Sequence, residues 1–175
     1  YRDLGHASSR GILANLLLNG ESQAYYNPTE RVDINFLRSR HGGGARWDLI
    51  AQFGEIREGD DLEWRRFKSL TIGTDLTVPV NYAKAAALID LDNFIDYIML
   101  CVYVDMDDWP YNNWRAGRER RAGAKWRFYV WDAERSFGTD GKQMLGRQRR
   151  VVTSNNLTSG ALASRADIAL IFRSF

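Results

Sequence analysis

The chain has 175 residues, enough for one core and most simply one domain. Its formal charge of +2 is too small to argue for nucleic acid, and no run matches the roughly 20 apolar residues of a membrane-spanning helix. A single cysteine, Cys101, excludes an internal disulfide and a thiolate zinc site, and its setting in FIDYIMLCVYV reads as that of a small core residue.

ILANLLL and ESQAYYN, separated by Asn19-Gly20, predict a β-hairpin, because Asn-Gly tolerates the positive φ of a tight turn; Asn27-Pro28 closes it. TERVDINFLRSRHGGG predicts a short strand running into a helix that three glycines stop. WDLIAQFGEI predicts one further strand bounded at Gly54, and Gly59-Asp60-Asp61 the start of a helix over LEWRRFKSL. TIGTDLTVPVNY is turn-rich and marks the expected boundary between a β-rich N-terminal lobe, residues 1–80, and a C-terminal lobe, residues 81–175.

YAKAAALIDLDNFIDYIMLCVYV predicts two helices divided at Asp90-Leu91-Asp92, where an aspartate can cap a new N-terminus. The second is apolar on most sides and reads as a central helix. In WRAGRERRAGA, Gly117 and Gly123 read as turns. KWRFYVWD alternates, with Trp126, Phe128, Val130 and Asp132 facing one way and Arg127, Tyr129 and Trp131 the other, and predicts a strand ending in a carboxylate. Residues 138–160 read as a long loop before a closing helix in ALASRADIALIFRSF.

The stretch DDWPYNNW, residues 107–114, is too polar for a core strand, and Pro110 has no backbone donor to give a ladder or helix. Asp108 and Asn113 are five apart, and Asp132 follows at a strand end. Phosphoryl transfer uses such a set, one aspartate for the acceptor hydroxyl and an asparagine and a second aspartate for metal, and the protein-kinase catalytic loop has the same spacing. Loops are rich in Asp and Asn for turn reasons as well. Asp105 and Asp107 read as capping or solvating groups beside a metal-contact alternative, and Glu134 as a metal ligand or the partner of Arg135.

Trp109 and Trp114 suit either a purine stack or packing behind the loop. Arg115, Arg118, Arg120 and Arg121 suit either a solvated face or contact with nucleotide phosphate or an acidic substrate. The 20 arginines against four lysines fit anion recognition and equally a coding bias. His6 and His41 receive no role, and His41-Gly42-Gly43-Gly44 lacks the lysine and Ser/Thr of a P-loop and reads as a turn.

The run from Ile89 to Gly138 resembles the core of the spore-coat-protein-H (CotH) kinase family. It supplies Asp108-Trp109, Asn112-Asn113-Trp114, an arginine-rich segment, Trp126-Arg127-Phe128, Trp131-Asp132 and Phe137-Gly138 in the family's order. LNGESQAYYNPTERVDINFL is similar to the family's N-terminal pattern, so the resemblance covers most of the chain.

It implies an α+β, two-lobed atypical protein-kinase-like domain that binds ATP and Mg²⁺ or Mn²⁺ and passes phosphate to Ser/Thr-rich proteins. Spore coat, cell surface and secreted locations go with it. By position, Asp108 is the catalytic aspartate, Asp132 the metal-binding one and Asn113 the second metal ligand, an oxygen set that suits Mg²⁺. Kinase-like folds also move AMP or activate a glutamate.

Departures bear on the nucleotide site. Where the family usually has an aromatic and then glycine, this chain has Ser22, Gln23 and Ala24, which is expected to weaken close backbone approach to a nucleotide. No lysine precedes Lys68, so Arg31, beside Glu30, stands in as the phosphate-facing cation; Trp109 and Arg115 complete the candidate nucleotide set. Family members ordinarily continue at both ends, so the chain reads as truncated at both. Two rival readings stay open. One is a metal-dependent nuclease using Asp105, Asp108, Asp132 and Glu134, with arginines on the nucleic-acid backbone. The other is a non-catalytic surface or binding module that keeps the fold.

Overall fold

The computed structural model describes residues 1–42, 44, 46–106, 109–133, 136 and 160–175. The expected hairpin forms from β1 (Ala14–Leu18) and β2 (Glu21–Tyr26), turning at Asn19 and Gly20, both at positive φ. It is a separate two-stranded sheet, and every residue of β2 is exposed. The β1–β2 register shifts between Asn15 and Leu17, and opposite that shift Ala24 holds φ 76°. This is the left-handed region that favours glycine, so the backbone keeps a glycine conformation at the position where the side chain departs from the family pattern.

Helix α1 (Ile34–His41) starts at Asp33, whose carboxylate accepts from the backbone N–H groups of Asn35 and Phe36. The short strand expected immediately before it does not form: residues 30–33 are irregular, and Asp33 serves as the cap. The single strand expected from WDLIAQFGEI is two, β3 (Trp47–Ala51) and β4 (Ile56–Glu58). Positive φ at Phe53 and Gly54 reverses the chain between them.

Strands β5 (Trp114–Glu119) and β6 (Arg127–Val130) complete an antiparallel sheet in the order β4-β3-β5-β6. Gly117 is therefore not a turn but lies inside β5. A Cβ there would sit 3.1 Å from Tyr129 Cε2 and 3.3 Å from Leu37 Cδ2, so glycine is what lets α1 pack onto this face.

The two faces of the sheet bury different sets. One carries Ile50, Trp114, Ala116 and Phe128 into the main core, with α2 (Leu62–Ile72), α4 (Leu91–Tyr103) and α5 (Asp167–Ser174) packed over it. The other carries Trp47, Leu49 and Tyr129 against Val32, Phe36 and Leu37 of the α1 region. The alternation predicted for KWRFYVWD holds through Trp131 and breaks at Asp132, which turns out of the strand at φ 57°.

The helix pair is divided where expected. Helix α3 (Pro79–Ala86) ends before Asp90, and the Asp90 side chain accepts from the Asn93 N–H to cap α4. The α4 N-terminus also closes the outer edge of β6. Asn93, 3% exposed, donates to the Phe128 carbonyl at 3.3 Å and accepts from the Phe128 N–H at 2.6 Å. Asp90 pairs with Arg127 at 3.0 Å. An edge strand otherwise offers open donors and acceptors for aggregation, and these contacts remove them. Cys101 is buried in the main core, as expected, and burial pushes its thiol pKa up to about 12. The predicted loop at 138–160 lies outside the described residues up to 159; α5 follows a short 3₁₀ turn (Gly160–Ala163).

Candidate functional site

Trp114 opens β5 and Val130 closes β6, and the two are register partners. Asn113 and Asp132 thus flank the same end of this ribbon, and both hold left-handed backbone, at φ 60° and 57°. Asn113 Nδ2 donates to the main-chain oxygen of Asp132 at 3.2 Å, tying the end of the DDWPYNNW loop to the end of the strand. Asn113 is buried and Asp132 exposed. For an asparagine and an aspartate, left-handed backbone is tolerable but not neutral, and it is maintained here at two adjacent positions in space.

Asp108, the expected catalytic residue, lies outside the described residues, as do Asp107, Glu134 and Arg135. Asp105 lies just past the α4 C-cap at φ 51° and turns the chain out of the helix. Trp109, joined to Pro110 by a cis peptide bond, is 3% exposed and its indole N–H donates to Tyr97 Oη at 2.9 Å. Trp114 is buried as well. Both rings take the packing position, behind the loop.

Arg115 points to the α1 face of the sheet and is 6% exposed. Its Nη1 donates to Gln52 Oε1 at 2.7 Å and to the Trp114 carbonyl at 2.9 Å, and its guanidinium carbon lies 5.1 Å from the centre of the Trp131 ring. Register explains the grouping. Arg115 pairs with Ala51 on one side and Tyr129 on the other, so Gln52 and Trp131 are the next residues along the neighbouring strands. Burial, with Arg57 and Arg31 nearby, pushes the Arg115 pKa down to about 10, while Glu55 and Asp132 pull it up. The expected residues Arg31, Arg115, Asn113 and Asp132 therefore share one neighbourhood.

Glu30 is held elsewhere. It accepts from the Arg10 backbone N–H at 2.9 Å and pairs with Arg40, and these two donors keep its carboxyl below the usual range. Arg118 and Arg120 are neither a solvated face nor open cations. They converge on Asp48, which is 2% exposed: Arg120 Nε donates at 2.5 Å, Arg118 Nη1 lies 3.8 Å away, and the Asp60 N–H donates at 3.0 Å. Arg121 pairs with Glu119. Sequence reasoning missed Gln52 and Asp48, since neither lies in a motif and only strand register brings them to their arginines.

Among the described residues no group of three His, Cys, Asp or Glu side chains is placed to hold a metal. The carboxamide oxygen of Asn113 and the carboxylate of Asp132 are hard oxygen donors at one ribbon end, a donor set whose chemistry fits Mg²⁺ or Mn²⁺. No described helix is long and apolar enough to cross a membrane.

A family model described as CotH kinase protein matches residues 1–166. The chain belongs to the CotH kinase family. That membership accounts for the α+β architecture as kinase-like and sets a general expectation of nucleotide and divalent-metal chemistry for CotH proteins such as this one. No curated protein matches the chain.

Proposed function

We propose that this CotH kinase-family chain catalyses ATP-dependent transfer of phosphate to serine or threonine hydroxyls of a protein substrate. The observation that carries the reading is the Asn113–Asp132 hydrogen bond, which couples two left-handed residues at the end of the β5–β6 ribbon. Asp108 is assigned to accept the proton of the acceptor hydroxyl and to orient it. Asp132 and Asn113 are assigned to hold a divalent metal, which when bound neutralises charge on the phosphates. Arg115, with Arg31 adding positive potential, is assigned to the phosphate side.

In this reading the chain passes from one lobe to the other near residue 80 while β3–β5 pairing joins the two segments in one sheet, and Trp109 stays in the core as the buried support of the loop. Spore-coat, cell-surface and secreted locations fit the family name and belong to the proposal. The test is transfer of labelled phosphate from ATP to a serine-rich protein, with the transferred group weighed by mass to separate phosphate from AMP. Activity that survives Asp132→Ala would sink the assignment.

A second reading, a kinase-like module without catalysis, is favoured by Ala24, which occupies left-handed backbone where a glycine would leave room for a nucleotide. A thermal-shift titration with ATP and Mg²⁺ or Mn²⁺ separates the two, since a binder at a hundredfold excess over Kd is stabilised by about 2.7 kcal/mol. For the nuclease reading, two of the four carboxylates, Asp108 and Glu134, lie outside the described residues, and no observation favours it.

A further inference from the structure

Arg115 is an anomaly in charge terms. A guanidinium this buried ordinarily has a carboxylate against it, because an unpaired buried charge is costly. Among the described residues none forms an ion pair with Arg115; its contacts are two neutral acceptors on one nitrogen, Gln52 Oε1 and the Trp114 carbonyl, and the face of Trp131. The charges around it are mixed and none is in ion-pair contact: Arg57 and Arg31 add positive potential, and Glu55 and Asp132 offset it in part. Elsewhere in the chain buried or half-buried arginines are neutralised internally: Arg118 and Arg120 by Asp48, and Arg127 by Asp90. Gln52 occupies the place at Arg115 that a carboxylate holds in those pairs.

We propose that Arg115, gripped by Gln52 and stacked on Trp131, is an anion seat whose counter-charge is the phosphate chain of the bound nucleotide, and that Gln52 is the positioning residue that keeps the seat charged. The neutral carboxamide fixes Nη1 without cancelling the charge, and among the described residues no hydrogen bond engages the Nε and Nη2 edge of the fork, the edge that suits a phosphate. Stacking on Trp131 holds the plane of the fork, and Trp131 precedes Asp132, so the seat is next to the proposed metal site. The identity of the anion rests on the phosphoryl-transfer reading, whereas the seat itself rests on Arg115 and its neighbours.

The test uses Gln52→Glu, which supplies an internal counter-charge by exchanging only the amide nitrogen for oxygen. Thermal unfolding is followed with inorganic tripolyphosphate in the absence of metal, and separately with ATP and Mg²⁺. The wild-type chain is expected to shift upward by about 5–10 °C in tripolyphosphate at a hundredfold excess over Kd. Gln52→Glu is expected to melt no lower than wild type without anion, yet to bind tripolyphosphate about tenfold or more weaker, because a like charge now borders it. A purely structural Gln52 would not move these two quantities in opposite directions.

Should Gln52→Glu not fold, Arg115→Lys replaces it, keeping the charge while losing the fork, with the same weakened shift expected. Absence of any tripolyphosphate shift in wild type, or an equal shift in wild type and variant, overturns the inference. An ATP response retained in full by Gln52→Glu leaves the nucleotide reading standing and removes this one. A tripolyphosphate shift lost in Gln52→Glu, with no response of wild type to ATP, does the reverse.

Discussion

Asn113 donates its side-chain N–H to the main-chain oxygen of Asp132 at 3.2 Å, joining two residues 19 positions apart that both hold positive φ. The bond fixes where each side-chain oxygen can reach, because a left-handed residue aims its side chain differently from a neighbouring strand residue. Asn113→Ala removes the bond and leaves a Cβ-bearing residue without local hydrogen bonding in left-handed backbone. Phosphotransfer is expected to fall about 10–100-fold and stability by about 1 kcal/mol. Asn113→Gly is expected to restore the stability, since glycine accepts φ 60°, but not the activity. Paired melting curves and initial rates check this, and recovery of both by glycine would remove the asparagine side chain from the site.

Ala24→Gly tests the hairpin in the same terms. Ala24 holds φ 76°, where an L-residue costs roughly 1–2 kcal/mol, offset in part by the greater freedom glycine loses on folding. The substitution is expected to stabilise β1–β2 by up to about 1 kcal/mol, read as slower amide hydrogen exchange across the hairpin. In the same variant, a larger thermal shift with ATP than wild type shows would tie this backbone position to nucleotide approach.

His41 gives a pH dependence of definite sign. It is half-buried, bonds to Tyr129 Oη at 2.9 Å, and lies against the rings of Trp47 and Tyr129. Burial first, and then Arg127, lowers its pKa, so the folded protein favours the neutral ring. In the window below the unfolded value of about 6.5 the unfolded chain binds a proton that the folded chain does not. Stability from this group is complete above that value and is lost as pH falls toward the folded pKa. Denaturation of wild type and His41→Gln from pH 7.5 down to 5.5 checks it: the wild-type curve is expected to fall more steeply, and parallel curves would refute the assignment.

Much of the fold is legible because its signals are local. Asn19-Gly20 sets a turn, Asp33 and Asp90 cap helices, and the alternation in WRFYVW assigns one side chain to each face of the sheet. The errors came from residues whose role depends on register. Gly117 reads as a turn residue until Leu37 and Tyr129 are brought against it, and Asp48 in WDLIA carries no signal at all until strand pairing sets Arg118 opposite it. The site divides the same way: the Asn113–Asp132 pair follows from motif spacing, whereas Gln52 reaches Arg115 only because Ala51 and Arg115 are partners across β3 and β5.

Asp48 is predicted to be the strongest single polar contributor to stability. It is 2% exposed and accepts from Arg120 and from the Asp60 N–H, so Asp48→Ala removes an acceptor from both donors, although Arg120 keeps its pair with Asp60. Leaving a partly buried donor without its acceptor costs about 1–3 kcal/mol, a fall in Tm on the order of 5 °C for a chain of this size. Gly59 offers an independent approach to the same seat. It holds φ 70°, and a Cβ there would meet the Asp48 carboxylate and lie 2.5 Å from the Trp47 carbonyl, a backbone atom that no rotamer change can move. Gly54, at φ 73°, has nothing within 4 Å of the same added atom. Gly54→Ala is therefore expected to cost only the conformational roughly 1–2 kcal/mol, and Gly59→Ala distinctly more. Equal losses in urea denaturation would mean that the Asp48 seat yields to an added methyl group and is not the tight anchor its contacts describe.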